Sequence, residues 1–249
     1  MKKIAFYSQK GGVGKTTSAV NVARILGERG HRVLVIDCDP RGGATRLLGI
    51  TNTTINLAHV IGGAGAPSAT LDEAVQPSRY DNVFVLPAQM DEVENAIAAL
   101  TMRQLDPMMN RRLPADRVLV NAIAKSATAW DYVLVDCLPT TDILAVAAIM
   151  AVDEVVIPTP PEELPIEAAA LTVQVVGLIA ESAGRIIPTQ ILATMVQETH
   201  LNHRDGMASI TAIYGDVYSI PRRNGRDAEQ KLLEAYRPLA HILNGGGQS

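Results

Sequence analysis

Short apolar runs rich in β-branched residues alternate with helical patterns along most of this chain. Continuous apolar runs of this length are typical of strands buried on both faces of a sheet. Seven such runs lie at residues 4–8, 32–39, 82–87, 131–137, 154–160, 190–196 and 217–221. A helical pattern follows the first run, and Gly30 stands where that helix would end. The repeated order of strand, helix and strand predicts an α/β fold with a mostly parallel, twisted sheet and helices on both faces.

The length and composition fit a single domain. The chain has 249 residues, of which 47% are hydrophobic and 19% charged, as suits one aliphatic core between helices and sheet. We expect one domain over residues 1–244 and a flexible, glycine-rich tail at residues 245–249. Cys38 and Cys137 match neither a disulfide framework nor a C-x-x-C metal site, and they fit best as small buried packing residues.

The apolar segments are short. The first run holds five apolar residues, too few for a secretory signal, and no run approaches the roughly 20 residues that cross a bilayer. These features predict a soluble cytoplasmic protein. The net charge of −4 argues against a globally basic nucleic-acid binder but leaves room for a local basic patch.

Three polar or glycine-rich turns follow predicted strands. The stretch "SQKGGVGKTT" (8–17) follows the first strand, "DCDPRGGAT" (37–45) the second and "DCLPTTD" (136–142) the fourth. Ligands of parallel sheets bind outside the carboxyl ends of the strands. We therefore expect the three turns to converge on one crevice.

The first turn has the residues of a phosphate-binding loop, in the order that such a loop needs. Gly11, Gly12 and Gly14 allow successive backbone N–H groups to point at an anion, and the following helix adds its positive end. Lys15 would then contact the β- and γ-phosphates, while the Thr16 hydroxyl would bind Mg²⁺.

The strict pattern G-x-x-x-x-G-K-[ST] nevertheless fails on this loop. Gln9 stands where the first glycine belongs, and a second lysine, Lys10, follows it.

The other two turns supply carboxylates. Asp136 ends an apolar run and would hold Mg²⁺ through water, as a Walker B aspartate does. Asp37 and Asp39 flank Cys38 on a predicted strand, where alternation puts both carboxylates on one face. Asp39 is the better candidate for orienting a water that attacks phosphate, and we include it with Thr16 and Asp136 as a candidate metal residue. Asp37 is either part of the site or a structural, hydrogen-bonded acid.

Together these residues resemble the deviant Walker A ATPases of the ParA/MinD family, over nearly the whole chain. The family loop K-G-G-x-G-K-[ST]-T is matched without a gap from Lys10 to Thr17. The family motifs DLDPQGNAT and IDCPPS are similar to "DCDPRGGAT" and to "VDCLPT" (135–140), and "ILATM" (191–195) and "IPRRNGRDAEQ" (220–230) also resemble ParA-type chains. Arg41, Gly43 and Leu138 replace the usual Gln, Asn and Pro of these motifs.

The resemblance implies a single-domain P-loop fold, ATP and Mg²⁺ as cofactors, and an ATP-dependent homodimer. In that dimer Lys10 would reach the partner's phosphates, as an arginine finger does, and would act with Lys15 and Asp39 in catalysis. Two neighbouring lysines repel each other in an empty site and become favourable once a triphosphate lies between them. The implied nucleotide-binding residues are Lys10, Gly11, Gly12, Val13, Gly14, Lys15, Thr16 and Thr17, with Met195 and Pro221 beside the adenine. A core methionine and a turn proline are the simpler interpretations of the last two.

A ParA-like function would be DNA segregation. The ATP-bound dimer would bind DNA non-specifically on the nucleoid, and a ParB-like partner would stimulate hydrolysis. Candidate DNA contacts are Arg204, Arg222, Arg223, Arg226 and Lys231. Acids are interleaved with them, so an ordinary solvated face stays open as an alternative.

Two other functions of the same family stay open. A MinD-like protein needs a C-terminal membrane helix, but the apolar stripe at 229–244 is better explained by packing, since Pro238 interrupts it and no basic cluster follows. A ParA-like ATPase that positions or regulates a protein cargo is not separable by sequence, because the partner selects the cargo. The chain begins almost at the first strand, so we expect no N-terminal helix-turn-helix domain. Iron proteins of this fold need cluster-ligating cysteines, which the pattern does not offer.

Overall fold

A computed structural model describes residues 1–62, 67–112, 114–197, 199–223 and 227–243. The predicted tail at 245–249 and the candidate DNA contact Arg226 lie outside these ranges. The strands are β1 (Lys2–Phe6), β2 (Val33–Asp37), β3 (Gln76–Pro77), β4 (Val83–Leu86), β5 (Tyr132–Asp136), β6 (Glu154–Thr159), β7 (Thr189–Val196) and β8 (Tyr218–Pro221).

Helices connect most of these strands. They are α1 (Lys15–Glu28), α2 (Gly43–Leu47), α3 (Leu57–Ile61), α4 (Leu71–Ala74), α5 (Met90–Leu105), α6 (Pro107–Arg112), α7 (Val118–Ala124), α8 (Ile143–Ala151), α9 (Glu163–Ser182), α10 (Leu201–Tyr214) and α11 (Ala228–Leu243), with a 3-10 turn at Ala115–Arg117. Gly30, with φ 86°, directly follows the C-cap of α1, as its position in the sequence predicts.

The strands form one eight-stranded sheet in the order β3-β4-β2-β5-β1-β6-β7-β8. All neighbours are parallel except β3, a two-residue edge strand that the sequence pattern does not predict. The apolar side chains form two cores on opposite faces of the sheet. The α/β class, the mostly parallel sheet and the helices on both faces are therefore confirmed.

The seven predicted strands are all present, but their ends differ. The first strand stops at Phe6, and the second at Asp37. Asp39 thus lies beyond the end of β2, so the prediction that both aspartates belong to one strand is wrong, although Asp39 remains close to Asp37. The residues beyond each strand end belong to the turns that build the site.

Helix α11 packs against α1, as the packing interpretation of its apolar stripe predicts. Leu233, Tyr236 and Leu239 are buried, and the Tyr236 hydroxyl lies 2.8 Å from the Ser18 hydroxyl. The helix runs through Pro238 without a break, so the expected interruption there is wrong.

Helix α9 is the one helix of the described ranges that is long and apolar enough to cross a membrane. It has 20 residues, a mean hydropathy of 1.5, and one third of its most apolar window buried (33%). The expectation that no apolar segment is long enough to cross a bilayer is therefore wrong for this helix. Core helices of globular domains also meet this criterion of length and composition.

Candidate nucleotide-binding site

The loop between β1 and α1 is shaped by two glycines with positive φ. Gly12 has φ 76°, and Gly14, the N-cap of α1, has φ 96° and ψ 18°. Side chains other than glycine rarely adopt this left-handed conformation. Among the described residues, no side chain caps α1. The N–H groups of its first turn are therefore free to bind an anion.

Two threonines from distant segments of the chain form hydrogen bonds with the loop backbone. The Thr194 hydroxyl on β7 donates to the Val13 carbonyl at 2.8 Å. The backbone N–H of Gln9 donates to the Thr172 hydroxyl on α9 at 3.2 Å. Sequence reasoning missed both threonines, because no local motif marks them and only the fold brings them to the loop.

The two lysines of the loop are placed differently. Lys15 is only 7% exposed, and its Nζ donates to the Lys10 carbonyl at 3.0 Å. Burial lowers the pKa of the Lys15 ammonium, and the nearby charges of Asp136 and Asp39 partly oppose that shift. The Lys10 side chain is exposed. Lys15 therefore contacts the backbone of its own loop, whereas the Lys10 side chain is exposed to solvent.

The three predicted turns do converge, because β1, β2 and β5 are neighbours in the sheet. Asp136 is the register partner of both Phe6 and Asp37. The Tyr7 hydroxyl donates to the Thr140 carbonyl at 2.8 Å and so ties the first turn to the turn after β5. The convergence predicted from the sequence is therefore present at the carboxyl ends of these strands.

Asp136 is fully buried, and neither carboxylate oxygen has a hydrogen-bond partner among the described residues. Burial, followed by the nearby charge of Asp37, raises its pKa well above the ordinary value of an aspartate. The Thr16 hydroxyl, which approaches the carboxylate as a donor without meeting strict hydrogen-bond geometry, and the Lys15 ammonium oppose part of this rise. A buried carboxylate without partners is costly, and a cation beside it would remove that cost.

Asp37 is buried equally well but is fully engaged. It accepts hydrogen bonds from the Thr45 N–H at 2.7 Å, from the Thr45 hydroxyl at 2.6 Å and from the Asp39 N–H at 3.2 Å. Burial raises its pKa to about 6, against the effect of these donors. Of the two interpretations of Asp37, the contacts favour a structural acid that holds the turn after β2.

That turn carries Asp39 to the site. The Asp39 carboxylate accepts from the Arg41 N–H at 3.0 Å, and Arg41 itself is exposed. Gly43 lies against Thr16, since a Cβ at Gly43 would be 3.3 Å from Thr16 Cγ2 and 3.5 Å from Thr16 Oγ1. The glycine that replaces the family's asparagine thus allows close approach to a candidate metal residue.

No three carboxylate, histidine or cysteine side chains of the described residues converge to hold a metal ion. The Thr16 hydroxyl and Asp136 suit a hard cation such as Mg²⁺, which keeps waters and takes phosphate oxygens as ligands. Such a cation would therefore be bound jointly by the protein and a nucleotide.

Met195 lies beside the loop, whereas Pro221 lies one strand further along the sheet. Met195 has φ 56°, unusual for a residue other than glycine, and its Cε is 3.8 Å from where a Cβ on Gly14 would lie. Pro221 ends β8 and is paired with Val196. Contact of either residue with an adenine stays a prediction.

The candidate DNA residues do not share one helix face. Arg204 lies on α10, which packs on one face of the sheet, whereas Lys231 lies on α11, which packs on the other. Arg222 and Arg223 follow β8, the edge strand that lies between the two layers of helices. All four side chains are exposed. Lys231 pairs with Asp227 at 3.7 Å.

Both cysteines are buried and unpaired. Burial raises the pKa of each thiol above its ordinary value, which keeps the thiols protonated and unreactive. The prediction that they are packing residues is confirmed.

The fold and this loop define a protein of the P-loop class, with a phosphate-binding turn between the first strand and first helix of a parallel sheet. A family model described as an AAA domain matches residues 1–187. The chromosome partitioning protein ParA of Caulobacter vibrioides is 30% identical over 232 residues, covering 89% of this chain and 81% of that protein. The chain belongs to the ParA/MinD family of deviant Walker A ATPases.

Other similarities are weaker or partial. An uncharacterized protein of Mycobacterium tuberculosis is 29% identical over 217 residues, which are 87% of this chain but only 65% of that protein. Among solved structures, cobyrinic acid a,c-diamide synthase from Mycobacterium smegmatis with bound ATP analog and magnesium superimposes with a TM-score of 0.79. The superposition covers 98% of this chain and 97% of the synthase chain, at 23% sequence identity. This similarity establishes the fold alone.

Proposed function

We propose that this chain is a ParA-like ATPase that binds ATP with Mg²⁺ and segregates DNA. The unpartnered carboxylate of Asp136, beside Thr16 and Lys15, supports the cofactor assignment, because it gives a cation a favourable place next to the loop. The uncapped first turn of α1 and the glycines of the loop supply N–H donors for phosphate oxygens. The bound Mg²⁺ would neutralise charge that develops on the transferred phosphate.

The observation that carries the proposal is the difference between the two lysines. Lys15 is held over its own loop, while Lys10 is exposed beside it. A solvent-facing lysine at this point can reach the phosphates of a second copy placed face to face, where it would stabilise transition-state charge. This arrangement supports the proposal of a homodimer with a shared active site.

For hydrolysis we assign Asp39 the role of orienting the attacking water. Gly43, which follows Asp39 in the same segment, packs against Thr16. Asp39 is also close enough to Lys15 for their charges to interact. Asp39→Ala should retain ATP and the dimer but lose turnover. Rapid hydrolysis by that variant, measured as phosphate release, would remove Asp39 from the mechanism.

The biological role is inferred from the relatives. The Caulobacter vibrioides relative is a chromosome partitioning protein. A ParA-like chain would be cytoplasmic and nucleoid-associated when ATP-bound, would contact DNA through the exposed basic residues around β8, and would hydrolyse ATP on stimulation by a ParB-like partner. Salt-sensitive binding without sequence preference is expected of such contacts.

Sedimentation in different nucleotides tests the shared site. The wild type should sediment as a dimer with ATP and Mg²⁺ and as a monomer with ADP, and Lys15→Ala should lose nucleotide binding. Lys10→Ala should keep nucleotide binding and lose the dimer, while Lys125→Ala, at an exposed lysine after α7, should behave as wild type. Identical profiles in ATP and ADP, or a Lys10→Ala variant that dimerises normally, would contradict the proposal.

A second assay tests the surface that the ATP form binds. Wild-type protein with ATP is mixed with non-specific duplex DNA and, separately, with anionic vesicles, over a series of salt concentrations. Retention on DNA that falls with salt supports partition. Retention on vesicles alone would indicate a MinD-like function instead.

A further inference from the structure

The C-terminal end of α5 and the short helix α6 carry a cluster of exposed apolar side chains far from the glycine-rich loop in sequence. We call Met102, Leu105, Met108 and Met109 the methionine patch; their exposed fractions are 71%, 74%, 73% and 41%. Four large apolar side chains between positions 102 and 109 are more than the scattered exposure that is normal on a surface.

The patch lies on the outer side of its elements. Helix α5 turns Val93, Ala96 and Leu100 inward, and Met102 and Leu105 fall on the opposite face by helical spacing. Helix α6 buries none of its residues. No apolar side chain of α6 is therefore needed for packing the body of the domain.

Polar contacts rather than apolar burial hold α6 in place. The Asp106 carboxylate accepts hydrogen bonds from the N–H groups of Met108 at 2.9 Å and Met109 at 3.1 Å. The Asn110 side chain accepts from the Ala115 N–H at 2.9 Å and ties the helix to the following turn. The methionines are thus presented to solvent on a defined backbone.

Exposed arginines follow the patch along the chain, two at the end of α6 and one at the end of the 3-10 turn after it. Arg111, Arg112 and Arg117 are exposed, and within the described ranges the ion pairs involve other side chains. Of the nearby acids, Asp106 caps α6 and Asp116 is half-buried. Methionine and arginine are enriched in protein interfaces, and flexible methionines adapt to varied apolar partners.

We propose that the methionine patch docks an amphipathic helix of a partner protein, with acidic residues beside its apolar stripe. The apolar centre would receive the stripe, and the three arginines would pair with the acids. A membrane is a poorer occupant, because α6 has only 6 residues and the chain's net charge of −4 opposes an anionic surface.

The docking site and the glycine-rich crevice are linked by one helix. Ala88, just before α5, donates its N–H to the Thr45 hydroxyl at 3.0 Å, in the turn that Asp37 holds. The methionine patch lies at the other end of α5. The docking proposal does not rest on nucleotide binding, so its test is made on the full chain without nucleotide.

The probe is a designed helical peptide of roughly 18 residues with a leucine stripe flanked by glutamates. A second peptide has lysines in place of the glutamates, and vesicles of phosphatidylglycerol and phosphatidylcholine are the third probe. We expect the glutamate peptide to bind wild type, measured by fluorescence anisotropy, at least about tenfold more tightly than the lysine peptide.

Three variants complete the test. Met102→Gln with Leu105→Gln should weaken the glutamate peptide about tenfold, and Arg111→Glu with Arg112→Glu should reverse the order of the two peptides. Leu164→Gln, at another well-exposed leucine on α9 (64%), should leave the affinity for both peptides unchanged. Equal binding of both peptides, unchanged affinity in the patch variants, or vesicle binding that the patch variants lose would overturn the proposal. Circular dichroism verifies that each variant is folded.

Discussion

Strands β2 and β5 end in the same chemical group, an aspartate carboxylate, but the two carboxylates have opposite surroundings. Asp37 and Asp136 are register partners, and both are fully buried. Asp37 accepts three hydrogen bonds from its own turn, whereas Asp136 accepts none from the described residues. The donors limit the pKa of Asp37 to about 6, while burial and the charge of Asp37 raise the pKa of Asp136 well above its ordinary value.

The difference separates structure from ligand binding. A buried acid that its own protein satisfies has little capacity left for a ligand, and its loss exposes the donors that it served. A buried acid without partners destabilises the fold until a cation arrives, which is a signature of functional sites. On this basis Asp37 supports the turn, and Asp136 is the candidate metal residue.

The largest expected effect is on Mg²⁺-dependent nucleotide binding by Asp136→Asn. Affinity for ATP in the presence of Mg²⁺, measured by titration calorimetry, should fall about 10- to 100-fold, as it does when groups around a metal site are removed. The free energy of unfolding without nucleotide should stay the same or rise, because the variant no longer buries an unpartnered carboxylate. A strong loss of stability would instead make Asp136 structural.

The matched variant Asp37→Asn should lose stability rather than nucleotide affinity. An amide cannot accept from all three donors, so the free energy of unfolding should fall by about 2 kcal/mol, measured by urea denaturation. Nucleotide affinity at a temperature where the variant is folded should change less than in Asp136→Asn. Unchanged stability with lost affinity would return Asp37 to the binding site.

A smaller effect is expected from Thr45→Val, which keeps the shape but removes the hydroxyl that bridges Asp37 and the Ala88 N–H. We expect a loss of about 1 kcal/mol in the free energy of unfolding. Thr45→Ser, which keeps the hydroxyl, is the control and should lose less. In a double-mutant cycle with Asp37→Asn the losses should not add, and full additivity would show that the two side chains do not act together.

The smallest effect is a pH dependence. Both aspartates have raised pKa values in the folded protein, so the folded state keeps protons that the unfolded chain releases above about pH 4. This contribution to stability is present at low pH and is lost as pH rises through the folded pKa values, which are about 6 for Asp37 and well above the ordinary aspartate value for Asp136. The decline of unfolding free energy with pH, measured without nucleotide, should be shallower in Asp136→Asn. Parallel curves would contradict this.

Much of the fold and of the loop could be predicted from the residues alone. Each of the seven predicted strands is present, because a strand buried on both faces must be continuously apolar, and that pattern is visible in one dimension. Gly12, Gly14 and Lys15 carry their roles in a local motif. The two-residue edge strand β3 has no such signal, since so short a strand needs no apolar pattern.

Contacts between distant segments could not be predicted. Thr172 and Thr194 hold the loop across more than half of the chain, and nothing near either threonine marks it. The interpretation of Asp37 depended on Thr45 lying within hydrogen-bond reach, which the end of β2 and the course of the turn decide.

The sequence by itself determined the α/β class and the phosphate-binding loop with its two lysines, because periodicity and glycine placement are local properties of the chain. Only the tertiary structure decided which aspartate is satisfied, which lysine is buried and which apolar side chains stay exposed. The physical reason is that burial and hydrogen-bond satisfaction are set by neighbours that folding brings together.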